Sequence, residues 1–129
     1  MKSDNPDLSK LLTASYLGGV SIVNSEVGVA HALSYGLSLE YDYRHGMANC
    51  IIFNHLEKYY GVHVKIFKEI LNIHNVILPD KLSAGFSQDK INNMVDTALL
   101  MERPLENAFG ENWKNVFSRE EIKSVYNKL

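Results

Sequence analysis

Residues 28–49 read GVAHALSYGLSLEYDYRHGMAN. Gly28, Ala30, Ala32, Ser34 and Gly36 stud a helix expected from about Glu26 to Leu39, with Asn24 or Ser25 as its cap. Such small residues weaken an isolated helix. Their use is therefore the close approach of a second helix or of a ligand. Residues Glu40 to His45 are polar and aromatic and read as a loop. A further helix is expected from Gly46 to Tyr59 or Tyr60, with Met47, Cys50, Ile51, Phe53, Leu56 and Tyr60 as its apolar positions.

The flanks carry the same period. Asp4 or Asn5 before Pro6 has the form of a helix start, and Leu8, Leu11, Leu12 and Tyr16 follow at three- and four-residue steps. Gly18-Gly19 is expected to end or kink that helix. On the other side, Val62, Ile66, Ile70 and Ile73 form one face of an amphipathic helix, and His74 to Ser83 is a connector containing Pro79. Ser87 or Gln88 opens a helix through Ile91, Met94, Val95, Ala98 and Leu99, which Arg103-Pro104-Leu105 should break. Leu105 to Phe117 reads as irregular, anchored by Trp113 and Phe117. Ser118 followed by Glu121 has the form of a capping box before a last helix, Glu120 to Leu129. Only Val20 to Val23 is ambiguous with a strand. The expectation is an all-α bundle of roughly five to seven helices, one domain over residues 1–129.

Composition narrows the function. The 129 residues are 46% apolar and 22% charged, which is globular rather than disordered. A net charge of -2 gives no basic excess for nucleic acid and no polybasic membrane anchor. No apolar run reaches the length of a membrane span, and the first residues lack the apolar core of a signal peptide. A cytoplasmic protein is the expectation. Cys50 is the single cysteine, which excludes an internal disulfide or a CxxC pair.

Two histidines sit in the small-residue region. His31 lies within the first helix of the quoted stretch, and His45 at the mouth of the next. Both rings can point into one cleft if these helices pack together. Neutral imidazoles meeting this way ligate zinc or ferrous iron. Each also reads as an ordinary hydrogen-bonded core or surface residue, and two ligands fall short of the three or four such sites use. Ser34 and Tyr35 share the helical face of His31. Tyr35 is a weak candidate for contact with a substrate. His55 reads as a packing residue, His63 and His74 as solvated, Asp42 as a loop charge and Cys50 as a buried thiol.

Read together, Ala14-Ser15-Tyr16-Leu17-Gly18-Gly19, Ile22-x-Asn24-Ser25-x-x-Gly28-x-x-His31-Ala32-Leu33-Ser34 and His45-Gly46-x-Ala48-Asn49 resemble the metal-binding signature of the iron-containing (group III) alcohol dehydrogenases. The likeness covers the first half of the chain, and its wording most resembles the sugar-oxidising branch. It implies the helical C-terminal domain of a dehydroquinate synthase-like fold, whose N-terminal α/β domain binds NAD(P). It implies one divalent metal, Fe2+ or Zn2+, held by an aspartate and three histidines, with His31 and His45 at the last two positions. The implied activity is oxidation of a primary alcohol, with the metal as Lewis acid.

The chain departs from the pattern in three places. The family's Asp-x-x-x-His pair occurs nowhere in it, and Tyr35 stands where many relatives have a further histidine. The nucleotide-binding domain is also missing. The expectation is a fragment that is inactive alone and self-associates through apolar surface left by missing elements. Two alternatives stay open: a non-catalytic helical interaction module, and a site completed across an oligomer by His55, Asp42 or Glu40.

Overall fold

The computed structural model describes residues 7–129, and every element among them is helical. Seven helices have eight residues or more: α1 (Leu8–Ser25), α2 (Val29–Tyr41), α3 (His45–Asn54), α5 (Val62–Ile73), α6 (Gln88–Leu100), α7 (Glu102–Phe109) and α9 (Arg119–Tyr126). Two single turns, α4 (Glu57–Tyr60) and α8 (Trp113–Val116), and a 3-10 turn at Leu82–Gly85 complete the order.

The core is organised around α2. Val29, Ala32, Leu33, Gly36 and Leu37 are buried on it, against Ala48, Ile51 and Ile52 of α3, and Met94, Val95 and Ala98 of α6. The small residues do what their size suggests. A Cβ on Gly36 would stand 2.8 Å from Met94 Cβ and 3.0 Å from Met94 Cα. Only glycine lets α6 approach so closely. From α9, Tyr126 reaches the same spot and its buried hydroxyl donates to Leu33 O at 2.8 Å. Trp113 and Phe117 are buried anchors of this core.

Several boundaries differ from the sequence expectation. The cap expected at Asp4 or Asn5 lies outside the described residues; within them, Asp7 caps α1 by accepting from Lys10 N at 3.1 Å. Helix α1 runs through Gly18-Gly19 without a break and ends where Glu26 takes a positive φ of 59°. Asn24 and Ser25 do not cap α2. They lie in the last turn of α1 and bond back to Val20 O and Ser21 O. The α2 cap is Gly28. The third helix stops at Asn54, and α4 restarts after Leu56. Arg103-Pro104 opens α7 instead of breaking a helix, because a first-turn residue has no N–H partner to lose. The stretch after it is helical in α7 and α8, not irregular.

The Val62, Ile66, Ile70, Ile73 stripe of α5 is exposed. The helix instead turns Val64 inward and packs Phe67 edge-on against Phe53, with ring centroids 5.2 Å apart. Ser118 caps α9 as expected, but Glu121 does not reach back to it. Its carboxylate accepts from Lys58 at 2.7 Å and from Tyr59.

Candidate metal centre

Helix α2 presents His31 in its first turn, and α3 begins with His45. Asp42, exposed at a φ of 56°, ends α2 and turns the chain so that α3 packs back along it. The two imidazoles meet. His45 Nε2 stands 3.2 Å from His31 Nδ1, with the ring planes at 87°. His31 is half-buried and His45 lies at the exposed rim. Burial, then the neighbouring His45, holds the His31 pKa below its ordinary value. That favours the neutral form, which is the ligating one.

Two residues grip His45. Asn49, one turn along α3, donates from Nδ2 to His45 O at 3.0 Å, and the same nitrogen is 3.0 Å from His45 Nε2. Ser34 donates to His31 O at 2.8 Å, and its oxygen is 3.4 Å from His45 Nδ1. Tyr35 sets its ring edge-on to His31, with centroids 5.1 Å apart. The histidines and Asn49 border a cleft of about 480 Å³ whose other walls are Ile22, Val27, Gly28, Ala30, Phe53 and Tyr60. Glycine at 28 matters here, since a Cβ would lie 2.8 Å from the Tyr60 hydroxyl that accepts from Val29 N.

The pair fits one edge of a coordination shell. Two nitrogens bound to zinc at ordinary length in tetrahedral geometry stand about 3.3 Å apart. The shell is not complete: among the described residues no group of three or more His, Cys, Asp or Glu side chains could hold a metal ion. His63 and His74 are exposed on α5 and at its end. His55 follows α3 at its far end, its pKa lowered first by burial. Glu40 is engaged by Lys90 and Asn93. Burial raises the Cys50 thiol pKa, which suits an unreactive side chain. The grip of Asn49 on His45 had one signal in the sequence, the four-residue spacing on a helix; that of Ser34 crosses between helices and had none.

The structure is thus an all-helical domain with two imidazoles at the edge of one apolar cleft. The family model for the C-terminal region of the Fe-containing alcohol dehydrogenase family matches residues 2–77. The chain belongs to that family. The match takes in both histidines and α1 through α5, while α6 to α9, of which α6 and α7 pack on α2, lie beyond it. The chain is thus a metal-dependent alcohol dehydrogenase-type part, of a family whose full-length members use a divalent metal and NAD(P). Among the described residues no helix is long and apolar enough to cross a membrane.

Proposed function

We propose that this chain is the metal-holding helical part of a cytoplasmic enzyme that oxidises a primary alcohol, passing hydride to NAD(P). His31 and His45 are two of the ligands to Fe2+ or Zn2+. An N-terminal nucleotide-binding domain supplies the remaining ligands and the cofactor. One observation carries the reading: ring nitrogens from adjacent helices stand 3.2 Å apart at the edge of a cleft, in a chain of this family. When bound, the cation supplies Lewis acidity at the alcohol oxygen. The chain's own residues do the rest. Ile22, Val27 and Phe53 give the cleft an apolar wall, and Tyr35, which does not line the cleft, packs edge-on against His31 and steadies that ring.

The substrate is a sugar acid such as 3-deoxy-manno-octulosonate, as in 3-deoxy-manno-octulosonate 8-oxidase, a lipopolysaccharide-sugar enzyme. The wording of Ala14 to Ser34 supports that choice. The chain also self-associates, which the exposed apolar residues of α1 and α5 support.

Zinc titration followed by histidine-ring NMR tests the ligand assignment. The His31 and His45 signals shift together, those of His63 and His74 stay, and His31→Ala abolishes the response of His45. Equal shifts at all five histidines, or none, would overturn it. The coding sequence upstream of Met1 tests the rest: it encodes an Asp-x-x-x-His and a nucleotide-binding domain. A stop codon there with its own promoter favours a second reading, a non-catalytic helical interaction module. The incomplete donor set among the described residues supports that alternative.

A further inference from the structure

We propose that Ser34 is a positioning residue that holds His45 with its proton on Nδ1, so that the Nε2 lone pair faces His31. Ser34 is fully buried, in a core built mainly of apolar side chains. Its hydroxyl is a single donor, and that proton goes to His31 O at 2.8 Å. Only the oxygen lone pairs remain for His45 Nδ1 at 3.4 Å, so that contact works when Nδ1 carries hydrogen.

Asn49 does not compete for that lone pair. Its side-chain nitrogen is identified by the bond to His45 O, which can only accept. That nitrogen lies 3.0 Å from Nε2 and 3.5 Å from Nδ1, so it sits off the ring-plane direction of the Nε2 lone pair and leaves that lone pair free to face His31. With the proton on Nε2 instead, Ser34 would have to release His31 O in order to donate to Nδ1. Ser34 thus touches the backbone of one histidine and the ring of the other. It ties α2 to α3 at the point where their rings meet.

The functional meaning rests on the metal reading above. A ligand histidine is held in one tautomer by what its second nitrogen bonds, and loss of such a partner costs about 10- to 100-fold in metal affinity. The tautomer can be read without metal. Long-range nitrogen–proton NMR of the histidine rings at about pH 8, where imidazole is neutral, is expected to show His45 as Nδ1–H. In Ser34→Ala that pattern gives way to a mixture, and zinc binds about tenfold more weakly. Ser34→Thr, which keeps the hydroxyl, restores the wild-type pattern. An Nε2–H pattern in the unaltered chain overturns the proposal with no variant needed, as does a Ser34→Ala pattern identical to wild type. If the tautomer behaves as stated but the unaltered chain takes up no zinc, Ser34's hold on the ring stands and the metal reading falls.

Discussion

Helices α1 and α2 are consecutive in the chain, and each carries one charged residue, Lys10 and Glu40. Their fates are opposite. Six of the residues of α2 are buried, whereas none of the 18 residues of α1 is. Leu8, Leu12, Tyr16 and Val23 of α1 point into solvent, Val23 at 83% exposure. Apolar content therefore does not decide burial; the presence of a neighbour does. Helix α2 has small residues that let α3 and α6 close upon it. Helix α1 has Gly18 and Gly19 too, but no atom comes within 4 Å of where their Cβ would stand. An apolar helix in water is costly, which is the physical reason to expect α1 to be covered in the working protein.

The comparison breaks most sharply on leucine. Leu33→Ala in α2 removes a side chain with no exposure and is expected to cost about 2–5 kcal/mol of stability. Leu12→Ala in α1 removes one that is 73% exposed and, at concentrations where the chain is monomeric, should stay within about 0.5 kcal/mol. Urea unfolding of the two variants measures the difference. Equal losses would mean that α1 is packed in solution, by a second copy or otherwise.

Glycine sharpens it with a change of sign. In Gly36→Ala the new methyl meets Met94, including its Cα, and crowds the Tyr126 hydroxyl. Backbone does not yield easily, so a net loss of about 1–2 kcal/mol is expected even after the gain in helix propensity. Gly19→Ala meets nothing, and only the propensity gain of about 0.5–1 kcal/mol remains. Circular dichroism and amide exchange within α1 read that gain. Both variants together show whether a small residue serves contact or only weakens its helix.

These contrasts mark what was legible beforehand. The helical class was legible, because three- and four-residue apolar steps recur along the chain. So was α2 as a contact helix, from its small residues. Ends were harder. The path of α1 through Gly18-Gly19 was hidden because glycine costs a helix only about 1 kcal/mol each. The gap between α3 and α4 was hidden because no glycine or proline marks it, and Leu56 and Tyr60 continue the apolar pattern across it. At the site, the small-residue setting and the resemblance to the metal-binding signature picked out His31 and His45 from five histidines. Which ring nitrogen faces which partner depends on how α2 and α3 cross, and no single-chain pattern encodes that.

The smallest effect concerns the base of α1, where hydrogen bonds tie it to α7. Glu26 pairs with Arg103 of α7, and Asn107 donates to Ser25 O at 2.9 Å and Val27 O at 3.1 Å. The Arg103 guanidinium, by hydrogen bonding first and by charge as well, holds the Glu26 carboxyl below the usual range. A lowered carboxyl pKa contributes stability that is present above the unfolded value of about 4.3 and lost as pH falls through the folded one. Both side chains are solvated, so the effect is modest and confined to the join. As pH drops below about 4.3, protection of the Glu26 amide, which donates to Ile22 O, should therefore fall while protection in the middle of α2 holds. In Arg103→Gln the join is already weakened at neutral pH, and this acid step disappears. An acid step of the same size in Arg103→Gln would assign it to another carboxylate and leave the Asn107 bonds as what fixes α1 to α7.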